Sequence, residues 1–192
     1  MLGPALHIAA GDSVEIDYLA NRRELIPEIT DLLYGQWADL FQAGGTSKDK
    51  LRELLMERAV TDRLPITLVA LSDGELVGTG SIKLSEPGTK VGLSPWLAGM
   101  YVKQAHRRSG VGVAIVRALE ATATEFGVKT LYLSVGAAKG FYSRLGWTVL
   151  EHVNSYGVKD VALMARDLAL DSGAGPNNSF KPSPLRGLGA VS

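Results

Sequence analysis

Residues 107–112 read Arg107-Arg108-Ser109-Gly110-Val111-Gly112, between the apolar run Trp96–Val102 and the amphipathic run Val113–Phe126. A β-prone segment thus hands over to a helix through two glycines. The first turn of a helix leaves backbone N–H groups without partners and carries partial positive charge from aligned peptide dipoles. Gly110 and Gly112 remove Cβ atoms that would hold a phosphate off the backbone, and Arg107 and Arg108 add charge. The loop reads as an anion cradle, although glycines before a helix also serve simply as a turn.

Spacing narrows the choice of nucleotide folds. The P-loop pattern G-x-x-x-x-G-K-[ST] is absent, and the first glycine of the dinucleotide fingerprint G-x-G-x-x-G is missing. What remains resembles the acetyl-CoA loop of the GCN5-related N-acetyltransferase (GNAT) family, Gln/Arg-x-x-Gly-x-Gly/Ala after a central strand, with Arg107, Gly110 and Gly112 filling it. Further along, Phe141-Tyr142-Ser143-Arg144-Leu145-Gly146-Trp147 resembles the family's Phe-Tyr-x-x-Leu-Gly-Phe/Trp segment. Pro95–Val102 also resembles the strand that feeds the loop, and the resemblance spans residues 13–168.

The resemblance implies an α+β fold: a mixed, mostly antiparallel twisted sheet with flanking helices and a splayed central parallel pair, here Leu97–Val102 and Thr130–Val135. It implies acetyl-CoA as cosubstrate and no metal. Backbone groups of Met100, Tyr101 and Val102 would bind the pantetheine arm. Arg107, Arg108, Ser109, Gly110, Val111 and Gly112 would hold the pyrophosphate, with Phe141 also at the cofactor. Tyr142 would protonate the departing thiolate, its alternative role being aromatic packing. Two departures from the pattern stand out: Arg108-Ser109 replaces the usual Gly plus basic residue, and Gly136–Gly140 lacks the Asn that many relatives carry.

The chain has 192 residues, enough for one domain with a core and too few for two comfortable ones. Twenty Lys plus Arg balance twenty Asp plus Glu, so no global field draws the protein to nucleic acid or an anionic membrane. No apolar run nears the ~20 residues needed to span a bilayer. The absence of cysteine excludes disulfides and thiol nucleophiles and is compatible with a cytoplasmic location, as monomer or homodimer. With three histidines and no cysteine, a catalytic metal has little support.

Periodicity supplies the remaining organisation. Residues 1–12 read as a loose leader, including His7, and the resemblance makes residues 13–170 the N-acetyltransferase domain. Ser13–Leu19 alternates as a strand, and Arg22–Phe41 carries a helical stripe that places Trp37 in the core or a pocket wall. Gly44-Gly45 ends that helix, and Thr46 with Asp49 resembles a capping box for the next. Asp73-Gly74 between Ile66–Leu71 and Leu76–Lys83 signals a hairpin. Ser85–Ser94 is a loop, Gly127 ends the helix behind the anion loop, and a short helix through Phe141–Leu145 precedes a closing hairpin, Trp147–Val153 with Val158–Ala165. Residues 171–192, rich in Gly, Pro, Asn and Ser, read as a disordered tail, or as one with a docking peptide at Phe180–Leu188.

Function then divides three ways. The first reading is an N-acetyltransferase acting by direct transfer in a ternary complex on a primary amine of a small molecule or a peptide or protein N-terminus. Its proton acceptor is open among His106, Glu75, Glu86, His152 and Tyr156. The second is a non-catalytic acyl-CoA-binding module of the same fold. The third, a nucleic-acid patch of Lys103, His106, Arg107 and Arg108, has too few basic residues and no interleaved aromatics.

Overall fold

A computed structural model of the chain describes residues 14–86, 92–155 and 158–169. The leader, the tail, Tyr156 and part of the Ser85–Ser94 loop lie outside the described residues. The elements run β1 (Val14–Tyr18), two short 3-10 turns, α1 (Ile26–Ala43), α2 (Lys48–Glu57), β2 (Ile66–Ser72), β3 (Glu75–Lys83), β4 (Trp96–Val102), α3 (Val111–Glu125), β5 (Thr130–Val135), α4 (Lys139–Arg144), β6 (Thr148–Ser155) and β7 (Val158–Asp167). They build one seven-stranded sheet in the order β1-β2-β3-β4-β5-β7-β6. Every pairing is antiparallel except β4 with β5, so the expected mixed sheet with one parallel pair is what forms.

Strand β2 is buried along its whole length, which accounts for its unbroken apolar character. Ile66, Leu68 and Ala70 pack with α3, while Val69 and Leu71 join Ile26, Ile29 and Leu33 of α1 and Leu51 and Leu55 of α2. Two helical layers thus cover the two faces. Helix α3 seats closely on β3 because Gly78 and Gly80 have no side chain. A Cβ on Gly80 would stand 2.7 Å from Met100 Sδ and 2.8 Å from Leu119 Cδ1, and one on Gly78 would stand 2.8 Å from Ile115 Cδ1.

Several boundaries follow local chemistry. Asp73 (φ 50°) and Gly74 (φ 82°) make the β2–β3 hairpin turn with both central residues left-handed. Gly127 (φ 76°) ends α3, and Val128 N–H reaches back to Ala123 O. The capping box expected at Thr46 and Asp49 does not form. Gly45 is left-handed and Thr46 N–H donates to Phe41 O, which commits Thr46 to ending α1, so Ser47 caps α2 instead by accepting from Lys50 N–H at 3.1 Å. The first helix begins at Ile26, later than Arg22, because Arg22 is held outside it by ion pairs to Asp17 and Glu15.

Candidate active site

The parallel pair is short. Only Trp96 bridges Tyr132, with Tyr132 N–H donating to Pro95 O at 3.1 Å, and beyond that point the strands part. The reason lies in β4. Between the pairs Ser81↔Ala98 and Thr79↔Tyr101, β4 carries one residue more than β3, a bulge at Gly99-Met100 with Gly99 at φ +61°. A bulge bends its strand and disrupts the ladder. The result is a fork between the two strands that the resemblance implies as the splayed pair, and its β4 side carries the backbone of Met100, Tyr101 and Val102.

At the open end of the fork the chain turns into α3. Gly110 is the N-cap at φ +92°, and Arg108 is also left-handed at φ +68°. Among the described residues, none accepts from the backbone N–H groups of residues 108–113; the first such bond into α3 is Ala114 N–H to Gly110 O at 3.0 Å. Ser109 Oγ donates backward to His106 O at 2.7 Å, so its own side chain rigidifies the turn. A row of free N–H groups at the end of a fifteen-residue helix is a fixed patch of positive potential.

The arginines divide their tasks. Arg107 Nε donates to Val102 O at 3.0 Å, tying the turn to the end of β4, and Arg108 is exposed. Gly112 sits inside the first turn of α3, where its Cβ position is 3.4 Å from Phe141 Cζ and 3.7 Å from Val102 Cγ2. The space left by Gly112 therefore adjoins Phe141 of α4, and the loop and the Phe-Tyr segment meet there.

Tyr142 is buried on α4, its ring edge-on to Phe141 (5.0 Å between centroids) and to Trp147 (5.9 Å). Leu145 and Trp147 N–H both donate to Tyr142 O, and Gly146 at φ +89° lets the chain reverse into β6. Burial pushes the Tyr142 phenol up to about 12, so it holds its proton throughout the physiological range.

On the opposite face of the sheet α1 covers the fork. Leu33 Cδ1 is 3.9 Å from the Cβ position of Gly99, and Trp37 lies edge-on to Tyr101 at 6.5 Å. The α1 backbone breaks at Trp37 (φ −132°, ψ 34°), and Tyr34 stacks on Phe41 at 5.8 Å. Trp37 is thus a wall beside the fork.

The candidate proton acceptors scatter. Glu75 is exposed at the β2–β3 turn. Glu86 pairs with Lys83, which lies opposite Trp96 at the closed end of the fork. His152 is engaged through Nδ1 with Asp160 at 2.6 Å on the closing hairpin, and His106 sits in the 3-10 turn before the loop. Among the described residues no group of three or more His, Asp or Glu is placed to hold a metal ion, and no helix is long and apolar enough to cross a membrane. Sequence reading missed Gly99, Ser134 and the aromatic pair Tyr34–Phe41. A glycine inside a β-prone run is a bulge signal that would have found the first of these.

A forked parallel pair with free N–H groups at the turn beside its open end offers space and positive potential for an extended ligand with a phosphate group partway along it, the shape of an acyl-CoA. The chain belongs to the acetyltransferase (GNAT) family, whose model matches residues 27–147. Members of this family draw acetyl groups from acetyl-CoA. The fold is similar to that of an aminoglycoside 6'-N-acetyltransferase complexed with coenzyme A (TM-score 0.62, 19% identity, 80% of this chain and 96% of that one). It is also similar to a spermidine N-acetyltransferase chimera from Vibrio cholerae and hSSAT (TM-score 0.63, 18% identity, 83% and 98%). A third likeness is to yncA, a putative acetyltransferase from Salmonella typhimurium with its cofactor acetyl-CoA (TM-score 0.61, 20% identity, 85% and 98%).

Proposed function

We propose that this protein transfers the acetyl group of acetyl-CoA to a primary amine, of a small molecule or of a peptide or protein N-terminus, by direct attack in a ternary complex in the cytoplasm. The observation that carries the reading is the fork between β4 and β5 with the unpaired N–H groups of residues 108–113 at its mouth. Gly110, Val111 and Gly112 bind the pyrophosphate through backbone N–H groups, Arg108 and Ser109 flank it, and Arg107 holds the turn in place. Met100, Tyr101 and Val102 extend the sheet along the pantetheine arm, with the Val102 carbonyl already given to Arg107. Phe141 packs against the arm where it passes α3.

The amine nitrogen forms a bond to the thioester carbonyl carbon as the C–S bond breaks, and the nitrogen then sheds a proton to solvent. Tyr142 donates a hydrogen bond to the sulfur as negative charge grows on it, and the CoA thiolate then leaves and takes a proton from solvent, which balances the one the amine sheds. A phenol pushed to about 12 is a weaker acid than a thiol of pKa ~8.5, so the hydrogen bond strengthens through the transition state without requiring early ionisation of Tyr142.

The test is thiol release from acetyl-CoA with a panel of 2-phenylethylamine, spermidine and a tripeptide with a free N-terminus, products read by mass spectrometry. An acetyl adduct on an amine supports the reading. Tight acetyl-CoA binding with no transfer to any amine favours a non-catalytic acyl-CoA module.

A further inference from the structure

Ser134 is a residue of the fork strand β5 whose side-chain polar atom finds no partner among the described residues. Its Oγ is buried and, among the described residues, has no hydrogen-bond partner. Such groups are scarce in folded proteins and call for a cause.

Its placement is set by register. Leu131, Leu133 and Val135 of β5 pack in the cluster that contains α3, so Tyr132 and Ser134 occupy the opposite face, where Tyr132 contacts the buried Trp96 at 5.8 Å. That is the face covered by α1, with Leu33 close to Gly99. Ser134 stands two residues beyond the last bridge, Trp96↔Tyr132, at the level where continued pairing would have set it beside Ala98. Across the gap, Ala98 and Gly99 carry little or no side chain. Tyr142 lies with the α3-side cluster. Tyr142 and Ser134 therefore lie on opposite faces of the sheet.

We propose that Ser134 is the positioning residue for the acceptor amine: its Oγ accepts an N–H of the incoming nitrogen and aims the lone pair at the thioester carbonyl. This inference rests on the acetyltransferase reading. As the nitrogen attacks it gains positive charge, so its remaining N–H groups become stronger donors. The bond to Ser134 is then tighter in the transition state than in the ground state, and its loss appears in kcat as well as in KM. A hydrogen bond of this charged type, if lost, lowers kcat/KM about ten- to a hundredfold.

The experiment compares wild type with Ser134→Ala and Ser134→Thr, using the best acceptor of the amine panel at saturating acetyl-CoA. Calorimetric acetyl-CoA affinity and melting temperature are measured alongside. Ser134→Ala is expected to lose kcat/KM for the amine on the stated scale while keeping acetyl-CoA affinity, and to melt at the same temperature or higher because it removes an unsatisfied group. Ser134→Thr restores the hydroxyl and most of the rate. Unchanged kcat/KM in Ser134→Ala overturns the proposal, as does a loss confined to acetyl-CoA affinity, which would move the hydroxyl to the pantetheine arm. A fall in melting temperature that accounts for the lost activity overturns it too. Failure of the acetyltransferase reading is visible separately and earlier, as a wild-type protein that binds acetyl-CoA and acetylates no amine, and it takes this inference with it.

Discussion

Trp147 Nε1 donates to Glu120 Oε1 at 2.8 Å, joining the middle of α3 to the turn between α4 and β6 in the interior of the protein. The same carboxylate takes Arg117 at 2.7 Å on its other oxygen and has Arg166 within 3.7 Å. Trp147 in turn lies edge-on against Tyr142. The Glu120–Trp147 bond therefore fixes the wall against which the Tyr142 ring rests.

Truncating Glu120 to Ala strands an indole N–H and leaves two guanidinium groups without their carboxylate. Breaking a buried ion pair from one side costs about 3–5 kcal/mol, and the partial exposure of Arg117 places Glu120→Ala at the low end of that range. Trp147→Phe keeps an aromatic wall and should cost less. Urea unfolding of both variants checks the order; a larger loss in Trp147→Phe than in Glu120→Ala would contradict it.

Two glycines invite opposite outcomes. At Gly80 a Cβ meets Met100 Sδ, Leu119 Cδ1 and Ile115 Cγ2 within 3.0 Å, so Gly80→Ala overpacks the β3–α3 contact and is expected to destabilise by about 1–3 kcal/mol. At Gly35 on α1 nothing lies within 4 Å of the Cβ position, so Gly35→Ala should stabilise by roughly 0.5–1 kcal/mol through helix propensity. Thermal melts of the pair should move in opposite directions.

Gly110 caps α3 at φ +92°. A β-branched residue there forces the turn out of its left-handed conformation and moves the free N–H groups, so Gly110→Val should bind acetyl-CoA far more weakly. Titration calorimetry on the folded variant reads this directly, with Gly110→Ala as the milder case. Equal affinity in both would take the loop out of the cofactor site.

Tyr142→Phe preserves the ring packing against Phe141 and Trp147 and deletes the proton. Losing a donor to the charge that grows on sulfur is expected to lower turnover ~10²–10³-fold with acetyl-CoA affinity nearly unchanged. Steady-state thiol release beside calorimetry distinguishes this from a packing role, for which turnover would hold.

The same phenol gives an alkaline signature. Tyr18 and Tyr142 are both pushed up from 10.0 to about 12, each chiefly by burial. Below about pH 9 both are neutral in the folded and the unfolded chain and contribute no pH dependence. Between pH 10 and 12 the unfolded chain releases protons that the folded one retains, so stability falls as pH rises, by up to about 3 kcal/mol for Tyr142 and by less for Tyr18, whose surroundings are more open to solvent screening. In denaturant titrations over that window, Tyr142→Phe should show a shallower decline than wild type. An unaltered slope would mean that Tyr142 ionises in place.

Sequence was sufficient wherever the signal was local. The Arg107–Gly112 loop and the Asp73-Gly74 turn depend on backbone preferences of adjacent residues and on the change of hydrophobic period around them, so both were legible, as was the Phe141-Tyr142 segment by its pattern. Even locally, competition between neighbours hid one result. Thr46 suits a cap, but the helix before it claims its N–H, and Ser47 takes the role.

What only the tertiary structure decided are relations between distant segments. Nothing near Glu120 in the sequence indicates Trp147, because the bond exists only once α3 lies across the sheet and α4 returns beside it. The fork needs the pairing of Trp96 with Tyr132 and a bulge measured against β3, and neither strand carries that register alone. Ser134 is an ordinary strand serine until its face is set by β7 on one side and the departure of β4 on the other. The sequence by itself determined which segments become strands and helices and where a glycine turn leads into α3. The three-dimensional packing decided which buried groups find partners and that the Ser134 hydroxyl, among the described residues, finds none.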